Sequence, residues 1–499
     1  MKRYFSRNSS LIVLVAILLP LFYINVKASH DWGDDFAQYF IQARNILEHR
    51  PQTDNGLVFD KQSGEYALQA YPVGFPVILS TAWFFFGDSI VVSSLTVSIF
   101  FFAFGIVCFF YFRKYFNDVL SILLTLIIIY NPLTIGFKKE ILSDVPFAFF
   151  FLWGVLLFLS AKKNTGHLVL TGIVWGFALS VRGIGATLFV AAGFYLLQNI
   201  FQENFRKEKS NLKPAFRKIT IISIFAFGFY FLLNGILFPV PSGRILQFYA
   251  DAISGENFGK WIFLNVEYYY HVFLNFFSTM GGNFRWLSTA TKFILVAFIP
   301  PGIFLAFSRK PEFKDWIFLA YIFVLFIYPY SEGGFRFLFP VMPFLAHYIF
   351  NFFFRILKLF RITSGKPAVI FLCIILIQYA PGLIDQVNSM SIPEDGPQET
   401  AAMEEFDYIR HLPTDAVVVF MKPRALSFYS DRRSAYVQRT TKPQDLEELF
   451  TRMNAHYFLV PNKNGKLHDM LLEKFIEDHG DDLKLIYKNS TFNLFTDLK

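Results

Sequence analysis

Residues 30–47 read HDWGDDFAQYFIQARNIL and follow directly on the first hydrophobic segment of the chain. The apolar residues after Asp35 recur at helical spacing: Phe36, Tyr39, Phe40, Ala43, Ile46 and Leu47. This pattern predicts an amphipathic helix that begins at Asp35 and lies along the membrane surface. A helix N-terminus carries a partial positive charge and unpaired N–H groups, so an aspartate placed there tends to stay ionised.

The two carboxylates of the first turn, Asp34 and Asp35, allow two interpretations. In the first, Asp34 only caps the helix and Asp35 is a solvated acid of the first turn. In the second, one of them is a general base, because a base must be ionised before it can accept a proton. The stretch alone leaves both interpretations open.

The composition indicates a membrane protein. Of the 499 residues, 54% are hydrophobic and 67 are phenylalanine, and many of them stand in runs near the length of a bilayer span. We therefore predict an α-helical polytopic membrane protein that is surrounded by membrane lipids and has no nucleic-acid partner. The two cysteines, Cys108 and Cys373, each lie inside an apolar run, which argues against a disulfide framework.

Hydrophobic runs predict about eleven transmembrane helices, of which the first lies near residues 11–26. That first run also fits a cleavable signal peptide, although we favour a retained helix. The other runs lie near residues 91–112, 118–135, 145–160, 168–181, 184–199, 219–238, 289–307, 316–330, 337–354 and 367–383.

Charge distribution orients these helices. Loops assigned to the cytoplasm hold most of the basic residues, among them Arg113, Lys114, Lys162, Lys163 and the segment 206–218. With the N-terminus inside, the long loop 28–75 and the C-terminal tail face the extracytoplasmic side. The predicted location is an integral membrane position, in a bacterial inner (cell) membrane.

The composition becomes polar and charged from Ile392 onward, where Pro393, Gly396 and Pro397 form a linker. Helical patterns near 398–411, 443–453 and 466–478 alternate with short runs typical of strands near 416–421, 435–438, 456–460, 483–487 and 491–495. This alternation predicts a small extracytoplasmic α/β domain. We divide the chain into a membrane domain, 1–388, which includes the loop 28–75, and a soluble domain, 389–499, which is structural or contacts the acceptor.

The spacing Asp35-x-x-x-Tyr39-x-x-x-x-Arg44 after a first transmembrane helix resembles the first extracytoplasmic loop of the GT-C glycosyltransferases. In form it is similar to the branch of protein O-mannosyltransferases and lipid A aminoarabinose transferases. The resemblance implies that Asp35 is the catalytic carboxylate. Because the chain has Asp34-Asp35 where the family usually has Asp-Glu, Asp34 remains the alternative. Tyr39 and Tyr71 are predicted to contact acceptor or donor, and Tyr71 opens a proline-rich stretch that resembles the re-entry of the family.

Four cations are predicted to hold the phosphate of a lipid-linked donor, because cationic side chains stabilise phosphate oxygens as they gain charge on departure. They are Arg336, Arg182, Lys138 and Lys139. Arg336 stands four residues before a proline, as an arginine commonly does at a span boundary of the family. Each cation also fits simple contact with lipid headgroups.

Two acids near these cations, Glu140 and Asp144, are predicted as their ion-pair partners. His30 beside Asp31 is a weak indication of a metal site, because two ligands without a further cluster more often have a structural or solvated role. No cofactor is therefore predicted firmly, and a divalent metal stays open.

The sequence thus predicts an inverting glycosyltransferase that moves a sugar from a polyprenyl-phosphate donor to an extracytoplasmic lipid, glycan or protein acceptor. The topology supports a lipid-linked donor independently, because the acidic loop faces a compartment without nucleotide sugars. The alternatives are a transporter or lipid flippase that uses the loop carboxylates as an ion site, and a catalytically silent scaffold. Transporters usually place ionisable groups near the midplane on broken helices, whereas these acids lie in a loop.

Overall fold

The computed structural model describes residues 7–60, 70–160, 164–204, 212–241, 258–277, 285–308, 310–328, 333–362, 364–437, 441–462 and 467–498. Lys162, Lys163 and residues 206–211 of the basic segment lie outside the described residues.

The α-helices of the described residues are, in chain order, α1 (Arg7–Leu18), α2 (Asp35–Leu47), α3 (Gly74–Phe86), α4 (Ile90–Arg113), α5 (Asp118–Ile129), α6 (Pro132–Phe137), α7 (Asp144–Ser160), α8 (Thr165–Val181), α9 (Thr187–Asn204), α10 (Leu212–Phe231), α11 (Phe258–Phe276), α12 (Arg285–Ala297), α13 (Ile299–Phe307), α14 (Phe313–Ile327), α15 (Gly334–Leu338), α16 (Met342–Leu359), α17 (Lys366–Asn388), α18 (Thr400–Arg410), α19 (Pro423–Ser430), α20 (Leu446–Met453) and α21 (Met470–Asp478). The strands are β1 (Leu57–Val58), β2 (Val417–Val419), β3 (Arg433–Ala435), β4 (Tyr457–Pro461), β5 (Leu483–Lys488) and β6 (Phe492–Asp497).

The chain folds as two compact units. The first, here called the helical unit, comprises Met1–Val26, Ser94–Leu237 and Leu246–Ser391. The second, here called the mixed unit, comprises Lys27–Ser93, Phe238–Ile245 and Ile392–Lys499. The division into domains 1–388 and 389–499 stays a prediction, whereas the compact units group residues 27–93 with the C-terminal residues.

Apolar helices confirm the polytopic membrane architecture. Among the described residues, 6 helical segments are long and apolar enough to cross a membrane: Ile90–Arg113, Gly183–Glu203, Leu212–Leu237, Trp286–Phe307, Gly334–Leu359 and Lys366–Asn388. Shorter apolar helices accompany them: Ser9–Phe22, Gly74–Phe86, Asp118–Ile129, Asp144–Ser160 and Thr165–Val181. The structure thus has fewer clear spans than the eleven or so that hydropathy predicts.

One predicted span, 118–135, is divided into two helices. Helix α5 ends at Ile129, and α6 starts afresh at Pro132, a residue that fits the first helical position because it lacks an N–H group. The side chain of Asn131 caps α6 by accepting a hydrogen bond from the backbone N–H of Leu133, at 2.9 Å. Hydropathy misses this break because both helices are apolar.

Close packing of α8 against α10 fixes the end of α8, where Arg182 lies. A methyl group on Gly172 would come within 2.6 Å of the Ile222 carbonyl oxygen, and one on Gly176 within 2.4 Å of the Ala226 carbonyl oxygen. Glycines four residues apart let two helix backbones approach closely, as is common in membrane helices.

The mixed unit contains a six-stranded sheet in the order β1-β3-β2-β4-β6-β5. Strands β1, β3, β2 and β4 are parallel, and β6 pairs antiparallel with both β4 and β5. Apolar clusters cover both faces, one around Phe450 and Phe458 and the other around Trp32 and Phe406. The predicted α/β character of the C-terminal part is therefore confirmed as a mixed sheet.

Strand β1 is the exception to the predicted pattern, because it comes from the loop 28–75. It pairs with β3 in parallel, with Leu57 opposite Ser434 and Val58 opposite Ala435. The loop residues are therefore part of the same sheet as the C-terminal residues.

Helix α2 begins at Asp35, as the periodicity predicts, but it is buried on most of its surface within the mixed unit. Its polar residues Gln38, Gln42 and Asn45 are all buried and hydrogen-bonded. A helix that lies on a membrane surface would expose its polar face to water. The structure differs from this predicted position, because the polar face of α2 is buried. The polar residues instead hold neighbouring loops.

Candidate active site

Asp34 caps a helix, but not the helix that the sequence suggests. Its side chain makes no capping bond to α2. Instead, Asp34 Oδ1 accepts hydrogen bonds from the backbone N–H groups of Arg424 and Ala425, at 3.1 and 3.2 Å. These are unpaired donors of the first turn of α19, which begins at Pro423. Asp34 Oδ2 accepts a further bond from Arg424 Nη1 at 3.1 Å.

Asp35 has a different environment from its neighbour. Its Oδ1 accepts a hydrogen bond of 2.6 Å from the Tyr71 hydroxyl and lies 4.0 Å from Arg424 Nη1. The side chain of Asp35 is 32% exposed, against 17% for Asp34. Asp35 is thus the more accessible carboxylate, and Asp34 is the one engaged by a helix terminus.

Burial changes the acid–base properties of this group. Burial raises the pKa of Asp34 even though Arg424 and the backbone N–H of Ala425 act to lower it. Burial also raises the pKa of Tyr71 well above its ordinary value. Tyr71 therefore stays protonated near neutral pH, and its hydroxyl donates a hydrogen bond to Asp35.

Tyr71 is held in place by α2. Gln42 accepts a hydrogen bond from the Tyr71 backbone N–H at 2.8 Å and donates one to its carbonyl oxygen at 2.9 Å. The ring of Tyr39 lies 5.1 Å from the ring of Tyr71 and 4.9 Å from that of Phe75. Of the two predicted contact residues, Tyr71 bonds directly to Asp35 and Tyr39 supports Tyr71. Their contacts with acceptor or donor stay predictions.

Arg424 is the residue of this site that the sequence did not reveal. It is buried, and its guanidinium carbon lies 5.4 Å from the centre of the Tyr71 ring and 5.8 Å from that of Tyr436. Burial lowers the pKa of Arg424, but the neighbouring tyrosines and Asp34 raise it by more, so it stays charged. The one local indication was Pro423, which is typical of a first helical position.

In the helical unit, two of the predicted cations meet at one buried acid. Asp144, at the start of α7, forms an ion pair with Arg182, and its Oδ2 lies 3.8 Å from Arg336 Nε. Both guanidinium groups also face the ring of Phe337, at 5.1 and 5.2 Å. Arg182 follows the last residue of α8, and Arg336 lies in α15, so residues distant in sequence form one cluster.

Tyr269 of α11 lies close to this arginine cluster, and no motif in the sequence indicates it. Its hydroxyl is buried and has no hydrogen-bond partner among the described residues. It lies within electrostatic range of Arg336 and Arg182. A methyl group on Gly333 would come within 2.9 Å of the same hydroxyl and 2.0 Å of the Phe337 ring, so only glycine fits there.

The predicted lysines have other surroundings. Lys138 is completely buried and donates a hydrogen bond of 2.8 Å to the Ser98 hydroxyl. Lys139 is half-buried. A buried ammonium group needs compensation by polar or anionic partners. The binding of phosphate by either lysine stays a prediction.

The His30 and Asp31 pair is internally bonded. His30 Nδ1 lies 3.1 Å from Asp31 Oδ1, and the His30 ring stacks on Phe36 at 4.1 Å. Stacking and burial give His30 a structural role in the mixed unit. The imidazole and the carboxylate of this pair are ligand types that could help to hold a metal ion.

Comparisons with known proteins agree with this picture. Residues 9–240 match the family model described as dolichyl-phosphate-mannose-protein mannosyltransferase. The fold is similar to that of ArnT from Cupriavidus metallidurans bound to undecaprenyl phosphate, with a TM-score of 0.58 and 12% identity over 98% of each chain. The chain has the GT-C fold. The resemblance predicted from the loop motif is thereby confirmed, as is the class of enzyme, a membrane glycosyltransferase that depends on a polyprenyl-phosphate sugar.

Other GT-C structures are similar over less of their own length. The archaeal oligosaccharyltransferase AglB from Archaeoglobus fulgidus, in complex with an inhibitory peptide and a dolichol-phosphate, has a TM-score of 0.58 at 13% identity, over 91% of this chain and 69% of that one. The oligosaccharyltransferase of the same organism in complex with Zn and sulfate has a TM-score of 0.59 at 13% identity, over 90% and 67%. No curated protein matches the chain significantly by sequence.

Proposed function

We propose that the protein is an inverting glycosyltransferase that transfers a sugar from a polyprenyl-phosphate donor to an acceptor on the extracytoplasmic face of a bacterial cell membrane. In this reaction Asp35 takes the proton from the acceptor nucleophile as that nucleophile attacks the anomeric carbon. The bond between this carbon and the phosphate oxygen breaks, and the polyprenyl phosphate leaves with the bonding electrons.

The different environments of the two adjacent carboxylates carry the assignment of the base. Both oxygens of Asp34 already accept hydrogen bonds from α19, whereas Asp35 is the more exposed acid and accepts one from Tyr71. A general base needs an accessible oxygen within hydrogen-bonding reach of the proton it removes. This supports Asp35 rather than Asp34 as the base.

The arginine cluster supports the donor site. An Arg guanidinium carries five N–H donors in a planar fork, so Arg182 retains donors for a phosphate while it pairs with Asp144. The buried hydroxyl of Tyr269 is a further donor, and leaving such a group without a partner costs about 1–3 kcal/mol. A bound phosphate would satisfy it. We assign Arg182, Arg336 and Tyr269 to the leaving phosphate, with Lys138 and Lys139 as additional candidates.

The proposed reaction steps do not include a divalent metal, and metal dependence stays an open prediction. His30 and Asp31 are the residues of the mixed unit that would contribute to such a site, and the steps above use neither of them as a metal ligand. The acceptor can be a lipid, a glycan or a protein, because the described contacts favour none of these classes.

The test uses cells that lack the protein and variants that replace it. Mass analysis of envelope lipids and glycans identifies the sugar mass that is lost without the protein. Asp35→Asn should leave that mass absent, with a loss of transfer of about 10²- to 10⁴-fold while the protein still folds. Asp54→Asn, in an exposed acid of the same loop, is the matched control and should restore the mass. Restoration of the mass by Asp35→Asn would overturn the assignment of the base.

A further inference from the structure

We infer that Arg424 is a positioning residue that holds Asp34 in a structural role and thereby leaves Asp35 as the base. This inference rests on the proposed function, since it concerns the same reaction. It assigns part of the catalytic apparatus to the C-terminal residues, which the sequence suggested to be structural or in contact with the acceptor.

Both carboxylate oxygens of Asp34 already accept hydrogen bonds. Oδ1 accepts from two backbone N–H groups of α19, and Oδ2 accepts from the Arg424 guanidinium. These three bonds take up most of the roughly four lone-pair positions of the carboxylate, which leaves Asp34 little capacity to accept a proton from an acceptor. Charge-assisted hydrogen bonds are about twice as strong as neutral ones, so this arrangement opposes a role of Asp34 as the base.

Arg424 lies near Asp35 but does not form a hydrogen bond with it. Nη1 of Arg424 lies 4.0 Å from Asp35 Oδ1, which is beyond hydrogen-bonding distance. At that distance the cation favours the ionised form of Asp35 without a direct hydrogen bond between the two side chains. A base that is ionised and still accessible meets both requirements of the proposed reaction.

Helix α19 is fixed against α2 at a second point. The Phe428 ring lies 5.5 Å from the Phe40 ring, and the guanidinium of Arg44 lies 4.2 Å above the Phe428 ring. Arg44 Nη1 also donates to Asp431 at 3.3 Å, just after α19 ends. Arg44, the last residue of the loop motif, thus helps to hold α19, and Arg424 at its start sets the position of the two aspartates.

Other ionisable groups also face the two carboxylates. Tyr71 and Tyr39 lie on one side, and Lys422 and Tyr436 approach from the C-terminal residues. Arg424 bonds directly to Asp34 and lies 4.0 Å from Asp35. Its replacement should therefore change the ionisation of Asp35 more than replacement of any other cation.

The experiment measures initial rates of sugar transfer in membranes that carry the metabolically labelled lipid-linked donor, between pH 5 and pH 9. Arg424→Gln should lower the maximal rate about 10²-fold, the usual cost of a misplaced catalytic group. It should also move the acid limb of the pH profile to higher pH, because the nearby cation that favours the ionised carboxylate is lost. Arg424→Lys keeps the charge and should recover the rate to within about tenfold of the wild type. Arg433→Gln, in an exposed arginine of β3, is the control and should change neither quantity.

A double-mutant cycle shows whether Arg424 acts through Asp34. If it does, Asp34→Asn with Arg424→Gln should reduce the rate about as much as either change alone, because both remove one interaction. Multiplication of the two reductions would overturn the inference. An unshifted acid limb in Arg424→Gln would also overturn it, whatever the effect on the amount of folded protein.

The same measurements separate the inference from the proposed function. If Asp35→Asn retains transfer, the base assignment fails and the inference fails with it. If Asp35→Asn is inactive while Arg424→Gln has a wild-type rate and pH profile, Asp35 remains the base and only the role of Arg424 is refuted.

Discussion

Glu405 of α18 provides a test of the mixed unit that does not depend on the reaction. Its side chain is fully buried, and it accepts one hydrogen bond, from Asn489 Nδ2 at 3.2 Å. Its other oxygen has no hydrogen-bond partner among the described residues. Burial raises the pKa of Glu405 from 4.5 to about 8, because a buried carboxylate loses its hydration.

The raised pKa of Glu405 determines how the stability of the folded state changes with pH. The folded state holds the proton of Glu405 more tightly than the unfolded state does. The stabilisation is therefore fully present below pH 4.5 and is lost as the pH rises to about 8. One pKa unit corresponds to about 1.4 kcal/mol, so raising the pH from 6 to 9 should cost about 3 kcal/mol, roughly a factor of 100 in the equilibrium for opening.

The assay is hydrogen–deuterium exchange of the α18 peptide in the purified full chain, at pH 6 and pH 9. Glu405→Gln imitates the protonated acid and should remove the pH-dependent part of the protection. Comparison of variant and wild type at the same pH cancels the intrinsic pH dependence of exchange. Glu404→Gln, in the exposed neighbouring acid, is the matched control and should behave as the wild type does. Equal pH dependence in wild type and Glu405→Gln would refute the reasoning.

Two further predictions concern the helical unit. Tyr269→Phe removes the buried hydroxyl assigned to the donor phosphate and should lower the initial rate at limiting donor about tenfold, the equivalent of one hydrogen bond, whereas Tyr270→Phe, in an exposed neighbour, should not. An unchanged donor dependence of Tyr269→Phe would contradict that assignment. Gly176→Val should reduce the yield of monodisperse protein in detergent, because the valine side chain would overlap the Ala226 carbonyl. Gly193→Val is the control and should be tolerated, because the space around Gly193 is open. Equal yields would show that the packing of α8 and α10 does not depend on this close approach.

The local part of the site could be predicted from the sequence. Helix α2 starts at Asp35 because an acidic first turn precedes a clear helical period, and both features lie within a few residues of each other. The spacing from Asp35 to Tyr39 and Arg44 carried the resemblance that the comparisons confirm. Arg182 and Arg336 stood out because a charge at the edge of an apolar run is costly and needs a reason.

The long-range part could not be predicted in the same way. Asp34 and Arg424 are 390 positions apart, and no local pattern states which distant helix an aspartate will cap. Strand β1 has 2 residues, too few for an alternation of apolar and polar residues to be visible. The polar face of α2 was misjudged for a related reason, since periodicity separates two faces but does not say whether water or a protein loop covers the polar one.

The pairing of β1 with β3 has a consequence for biosynthesis. Leu57 and Ser434 are 377 positions apart, so at translation rates of about 5–20 residues per second the early segment waits roughly 20 to 75 s for its partner strand to leave the ribosome. During that interval its backbone N–H and C=O groups need other hydrogen-bond partners, which water or a chaperone can supply. Release from the ribosome before residue 433 would leave this segment permanently without its neighbour in the sheet, even if every helix upstream had already been inserted.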